Sequence, residues 1–373
     1  MSTEKLDLVK QRFDNYYKIV ILLFQERKRR ISNMSSAKNG INAADVPQIK
    51  LSNGANIPCI GMGTFGSDRF TPDQVAEAVA GALDAGYRLF DCASVYQNEH
   101  LIGEVFEKAM TKGTARREEL FVTSKVWNDM HGKNDVLLSL AKTLKDLRLD
   151  YVDAYFVHWP FPNYHAPGCD GDSRNPDSKP FSVEAFMSTW RQMERICDMG
   201  LAKTIGMSNM TIPKLDAVLP LCRIKPALLE AELHPCFQQP ELFEYCKRSD
   251  IALIGFCPIG SPTRPDRDKA PGDLAATEMP EIVEIAKAHG VHPAIICIKW
   301  AVKRGQIPIP FSVYENEYIS NLRSVIEAPL TDAEMEIIKS VDKDNRLIKG
   351  QVFLWESAKG WEDLWDLDGV ICK

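Results

Sequence analysis

From about residue 60 onward, short apolar runs alternate with longer stretches in which apolar residues recur every three or four positions. The short runs fall at 60–63, 87–91, 120–124, 152–157, 204–207, 228–232, 252–257 and 307–310, and read as buried strands. Between them, segments such as "PDQVAEAVAGALDAG" and "DVLLSLAKTLKDLRL" put Val, Leu and Ala on one helical face. Ahead of the first run, "IKLSNGANIPC" sets Asn-Gly between two short alternating segments, the strongest local signal for a β-hairpin. Eight strands, each followed by helical sequence, predict the α/β class: a single closed parallel (β/α)8 TIM barrel with an N-terminal hairpin and long loops at its C-terminal mouth. The competing arrangement is a doubly wound open sheet with a Gly-rich turn after an early strand. "GMGTFG" follows the first strand, but a lone Gly-rich turn is weak support, and the barrel is preferred.

Composition narrows this picture without changing it. The chain has 373 residues, 45% hydrophobic and 26% charged, which suits a sizeable folded core. It divides into a leader, 1–45, expected to be poorly ordered, and the barrel with a C-terminal substrate loop, 46–373. A net charge of −6 with no basic run in the body argues against a nucleic-acid surface. Ten cysteines without a CxxC pair point to a reducing, cytoplasmic setting with thiols used as core residues. "YYKIVILLF" in the leader is far shorter than the ~20 apolar residues a membrane helix needs, so stable membrane insertion is not expected. A monomer or small homo-oligomer is expected. His234 and Cys236 have no further ligands at metal-like spacing, so no metal site is indicated.

The stretch "LFDCASVYQNE" ends a hydrophobic strand on a carboxylate, Asp91, with Tyr96 five residues further on. A buried acid is costly unless a charge meets it. The ends of the following strands supply candidates. They carry Lys125 in "VTSKVWN", His158 in "YFVHWP", Ser208 and Asn209 in "IGMSN", Glu230 and Glu232 in "LLEAELHP", Phe256 in "IGFCPIG", and Ser312 in "IPIPFS". In a barrel all these ends open on one mouth. Lys125 can then pair with Asp91 beneath Tyr96. A phenol, with an ordinary pKa near ~10, is made a better proton donor by a nearby ammonium, and a histidine beside it can orient a carbonyl oxygen. Hydride for the carbonyl carbon must come from a cofactor, since no side chain supplies it. A Schiff-base role for Lys125 would need an uncharged amine, against which Asp91 works.

With "GMGTF", "LFDCASVYQNEHLIG", "VTSKVWN", "VHWP", "IGMSN", "ELHP" and "IPFS", the sequence resembles the aldo-keto reductases, in particular their aldose reductase-like members, from about residue 48 to its end. The resemblance implies a general acid at Tyr96, tuned by Lys125 and Asp91, with His158 orienting substrate. It implies extended binding of NADPH or NADH without a Rossmann domain. Ser208, Asn209 and Glu230 would face the nicotinamide carboxamide, and Phe256 would stack on the ring. Further cofactor contacts would come from Gly63, Thr64, Phe65, Pro258, Ile259, Gly260, Phe311, Ser312, Glu317 and Asn321, and substrate contacts from Trp127, Trp159 and His158.

Three departures from the family's pattern involve four positions. Glu230 replaces a glutamine and Phe256 a tyrosine. Phe311 and Glu317 stand where a lysine and an arginine usually grip the 2′-phosphate of NADPH. A carboxylate repels that phosphate but accepts from a ribose hydroxyl, so NAD(H) is expected to be modestly preferred and NADP(H) is the alternative, with Arg323 or Lys303 as substitute cations. A long polar insert after the fourth barrel strand reads as a binding loop, in which Arg174 and Lys179 are expected to face solvent beside Asp170, Asp172 and Asp177. Trp355, Trp361 and Trp365 near the end either close over substrate or pin the tail. Tryptophan faces among polar loops suit a small-molecule carbonyl or alcohol partner such as a sugar or other hydroxylated aldehyde. The other function considered is a cofactor-binding, redox-sensing regulatory subunit with little turnover, for which the leader would be the partner-binding part.

Overall fold

The computed structural model describes residues 40–66, 69–163, 174–262 and 264–372. Residues 1–39 of the leader and 164–173 of the insert, with Asp170 and Asp172, lie outside them, so the expectations for those segments have no structural counterpart. The first described element is a single 3-10 turn at Ala43–Asp45, capped by Asn42.

The Asn-Gly signal forms the hairpin β1 (Gln48–Lys50) and β2 (Asn56–Pro58), with Ile49 opposite Ile57. Eight parallel strands follow: β3 (Met62–Gly63), β4 (Leu89–Asp91), β5 (Phe121–Val126), β6 (Val152–Val157), β7 (Ala202–Ser208), β8 (Leu228–Glu232), β9 (Ala252–Phe256) and β10 (Ile307–Pro308). Each coincides with one of the eight apolar runs. The helices between successive strands are α1 (Pro72–Ala85), α2 (Glu99–Lys112), α3 (Asp135–Leu147), α4 (Val183–Asp198), α5 (Ile212–Val218) and α6 (Pro240–Arg248). The connection from β9 to β10 holds two, α7 (Pro280–His289) and α8 (Pro293–Arg304), and β10 leads into α9 (Glu315–Ser324) and α10 (Asp332–Lys339). Local chemistry sets these boundaries. Helix α1 begins with a capping box between Thr71 and Gln74 and Pro72 at its first position, and stops at Gly86, whose φ of 114° few other residues adopt.

Sequential strands pair side by side from β3 to β10, and the ring closes where these two meet. The Gly61 amide donates to the Pro308 carbonyl at 3.0 Å and the Gly63 amide to that of Pro310 at 3.1 Å. Pro308 and Pro310 have no N–H to return, so this seam carries half the bonds of an ordinary ladder. The glycines explain the run 61–66. It does have G-x-G-x-x-G spacing, yet a Cβ on Gly61 would sit 2.5 Å from Leu89 Cγ, and one on Gly63 3.0 Å from the Ile309 carbonyl oxygen. They let two strands approach closely.

Leu89, Phe121, Phe156, Leu228, Ile254 and Ile307 pack inside the barrel, together with Leu51 and Ile57 of the hairpin. Most of these stand early in their strands, and Asn53 in the hairpin turn donates to the Thr204 hydroxyl at 2.9 Å. The hairpin therefore plugs the N-terminal end, and the C-terminal ends stay open for chemistry. Among the described residues no helix is long and apolar enough to cross a membrane.

Candidate active site

The mouth opens into a cavity of about 1440 Å³. At its floor, Lys125 reaches across from β5 to Asp91 at the end of β4, with Nζ 2.7 Å from Oδ1 and 2.6 Å from Oδ2. The Thr123 hydroxyl also donates to Asp91 Oδ1, at 2.5 Å, and Lys125 Nζ to the Cys92 carbonyl at 3.2 Å. The lysine is fully buried and Asp91 is 2% exposed. A second carboxylate joins them: Glu230 Oε1 on β8 lies 3.3 Å from the same Nζ. Burial works against a charged Lys125, but Asp91 and then Glu230 outweigh it and hold the ammonium well above its ordinary range. That disqualifies it as an amine nucleophile. The same burial, reinforced by the Asp91 charge and only partly relieved by Lys125, pushes Glu230 up to about 8.

Tyr96 closes a 3-10 turn, Ser94–Tyr96, that ends at Gln97 in a left-handed conformation and turns the phenol back over the mouth. Lys125 Nζ lies 5.5 Å from the ring centroid. The expectation that this ammonium would bring the phenol below its ordinary range is not met. Burial raises it, and the lysine counters only part of that, with Asp91 and Glu230 adding to the rise. Tyr96 is thus a firmly protonated donor in the ligand-free protein. Across from it, His158 stands edge-on with centroids 6.0 Å apart, and Trp127 packs on the other side of the imidazole at 4.9 Å. Burial, then the Lys125 charge, hold His158 well below its ordinary pKa, so the ring is neutral and has one donor and one acceptor nitrogen.

Three buried polar atoms here have no partner: Glu230 Oε2, Asn209 Oδ1 and His158 Nδ1. Such orphans are costly unless a ligand meets them. Glu230 pairs in register with Ser208, and Asn209, in left-handed backbone at φ 58°, follows directly. Two orphan acceptors side by side, with Phe256 on the next strand, match a planar ring bearing a primary amide. The residues thus fit a nicotinamide, which would supply a hydride when bound.

Most of the residues named from sequence line this cavity: Gly63, Thr64 and Phe65 on one flank; Asn209, Glu230, Phe256, Pro258 and Ile259 on another; Phe311, Ser312, Glu317 and Asn321 at the outer end; Trp127 and Trp159 at the mouth. Three do not reach the wall. Lys125 acts from beneath, buried Ser208 accepts from Asn209 Nδ2 at 3.2 Å, and Gly260 at φ 81° shapes its loop. At the outer end the Ser312 hydroxyl donates to Glu317 Oε2 at 2.6 Å. Lys303 is spent elsewhere, on the Leu330 carbonyl and Asp332, whereas Arg323 lines the cavity.

The tail supplies what sequence reasoning missed. Val352 and Phe353 line the mouth, with the Phe353 ring packed against Trp159 at 4.5 Å between centroids and tilted by 49°. Among the three tail tryptophans, Trp355 and Trp365 are buried, and none lines the cavity; Trp365 packs on Trp159 at 5.7 Å and donates to the Lys349 carbonyl. They pin the tail. A buried Lys214–Asp366 pair at 2.5 Å fastens it to α5, and Glu232 accepts the Leu347 and Ile348 amides at 2.7 and 2.8 Å. Glu232, two residues beyond Glu230 at the same strand end, is thus an anchor. Arg174 corrects another expectation: it does not simply face solvent but donates to the carbonyls of Trp355, Glu356 and Ala358, joining insert to tail. No sequence signal foretold that pairing.

A closed eight-stranded barrel with a buried Lys–Asp pair beneath a tyrosine and beside a neutral histidine defines the barrel oxidoreductases that act on carbonyl groups. The profile described as "Aldo/keto reductase family" matches residues 59–343. An aldo/keto reductase of Synechocystis is 38% identical over 317 residues, covering 85% of this chain and 95% of its own. An NADH-dependent D-xylose reductase of Candida parapsilosis is 37% identical over 308 residues, covering 79% and 92%. The crystal structure of a Bombyx mori aldo-keto reductase in complex with NADP superposes with a TM-score of 0.72 at 30% identity, covering 83% and 96%. The chain belongs to the aldo/keto reductase family and is an NAD(P)-dependent oxidoreductase of carbonyl compounds.

Proposed function

We propose that the protein interconverts a hydroxylated aldehyde, an open-chain sugar foremost, and its alcohol, with NAD(H) preferred over NADP(H) and Tyr96 as general acid and base. The reading rests on the Asp91–Lys125 pair sealed beneath Tyr96 with neutral His158 opposite. In reduction, Tyr96 would give its proton to the carbonyl oxygen. Lys125, kept charged by the Asp91 carboxylate, would steady the phenolate left behind, and His158 would hold the oxygen in place. In oxidation the proton returns to Tyr96.

The NAD(H) preference is supported by Phe311 and by Glu317, which Ser312 orients to accept a ribose hydroxyl. Lys303 is occupied, so Arg323 is the cavity-lining cation on α9 that a 2′-phosphate would have to find. The sugar assignment draws on the aromatic faces of Trp127, Trp159 and Phe353 around the mouth, with Gln97 and Asp129 among them to bind hydroxyls. It agrees with the likeness to a D-xylose reductase.

Titration with NADH and NADPH, followed by quenching of tryptophan fluorescence, tests the cofactor half; tighter NADPH binding would refute it. A panel of sugars and apolar aromatic aldehydes tests the substrate half, which fails if the aromatic aldehydes turn over far faster than every sugar. Tyr96→Phe should lower kcat at least ~100-fold while leaving the quenching intact.

A further inference from the structure

Glu230 raises a question that the proton donor does not answer. It stands in a buried cluster with one cation and two acids, Lys125 against Asp91 and Glu230. Both oxygens of Asp91 are engaged by Lys125, whereas Glu230, which lines the cavity, meets the ammonium through Oε1 and leaves Oε2 buried without a hydrogen-bond partner. Were both acids ionised, the buried cluster would carry a net negative charge; with a proton on Glu230 it is neutral. A protonated carboxyl has the size and shape of a glutamine amide and can donate one hydrogen bond.

The groups facing Glu230 are few. Asp91 comes from β4, Lys125 from β5, Tyr96 from the turn after β4, and His158 stands beyond them; Ser208, Asn209 and Phe256 on the flanking strands are uncharged. Lys125 and Tyr96 are displaced upward and His158 downward, away from neutral pH. Asp91 is held through both oxygens by Lys125 and also by Thr123, so Glu230, pushed up to about 8 by burial and the Asp91 charge, is the acid placed to keep a proton.

Asn209, Glu230 and Phe256 line the same cavity as Tyr96 and His158, so a hydride donor resting on them would face a carbonyl held by that pair. The nicotinamide ring is cationic when oxidised and neutral when reduced, so a charge on Glu230 distinguishes the two states. We propose that Glu230 carries a proton in the resting protein and that losing it to solvent selects the oxidised, cationic cofactor over the reduced one. Glu230 is a positioning residue that makes the choice of cofactor state depend on pH. The inference rests on the nicotinamide reading of the cavity.

The test is the ratio of the dissociation constants for NADH and NAD+, measured by fluorescence quenching from pH 6.5 to 9.5 in the wild type and in Glu230→Gln. In the wild type, NAD+ should gain on NADH by about tenfold across this range, the factor that one unit of pKa difference between the two complexes produces. In Glu230→Gln, an isosteric and always neutral replacement, the ratio should be flat. A ratio that is flat in both proteins, or that shifts equally in both, overturns the proposal while leaving the cofactor site intact. Failure of either nucleotide to bind the wild type would overturn the cofactor reading as well. Infrared difference spectra of the ligand-free protein give an independent readout. A protonated carboxyl should disappear as pH rises through about 8 in the wild type and be missing from Glu230→Gln; a spectrum unchanged by the substitution overturns the proposal.

Discussion

The two ends of the cavity are built on opposite terms. At the floor, Asp91, Lys125 and Glu230 are all 3% exposed or less, and each charge is set against another. At the outer end, Glu317 and Arg323 are exposed on α9, and the Ser312 hydroxyl is the neighbour Glu317 bonds. Burial makes the identity of a residue a condition of folding as well as of chemistry, because removing one buried charge strands its partners. Exposure relaxes that condition. On the proposed reading, the outer end could carry Phe311 and Glu317 in place of cations and change only which nucleotide is preferred. At the floor, Glu230 sets a second acid beside a single buried ammonium, and on the proposal above a proton on Glu230 restores neutrality.

This contrast can be broken from either end. The largest effect should come from Lys125→Met, which leaves Asp91 and Glu230 facing each other without a cation. Stability to chemical denaturation should fall by about 3–5 kcal/mol, and turnover should be lost with it. A loss below ~1 kcal/mol would mean that the floor tolerates substitution as the outer end does. The double change Phe311→Lys with Glu317→Arg should leave the unfolding midpoint nearly unmoved and shift the ratio of NADPH to NADH affinity by ten- to a hundredfold, about one factor of ten per ~1.4 kcal/mol of phosphate contact. An unchanged ratio would mean that Arg323 already binds the phosphate. The smallest effect belongs to Arg174→Ala. It removes the bonds from insert to tail, should raise KM for the aldehyde a few-fold, and should leave NADH binding alone; weakened NADH binding would show that the tail also governs the cofactor.

What could be read from sequence divides along similar lines. The eight apolar runs became the eight strands because a strand buried on both faces must be apolar along its whole length. Asp91, Tyr96, Lys125 and His158 converge because strand ends in a barrel open on one side. The hidden features depend on contacts between distant parts of the chain. Arg174 meets carbonyls more than 180 residues away, and Glu232 binds amides 115 and 116 residues further on. Neither leaves a local pattern. The phenol was misjudged for a related reason. Sequence placed the ammonium near Tyr96 but could not weigh it against the desolvation around the ring, which proved larger.

The half-bonded seam between β3 and β10 bears on how the protein is made. The first barrel strand waits unpaired on one side until the chain has been synthesised as far as Pro310, close to 250 residues later. Until then the amides of Gly61 and Gly63 form an open edge, the kind on which nascent chains pair with one another. A strand of only two residues, Met62–Gly63, offers little to copy there. Economy at the seam thus doubles as protection on the ribosome, and a transcript truncated before β10 would leave that protection as the chain's main safeguard against aggregation.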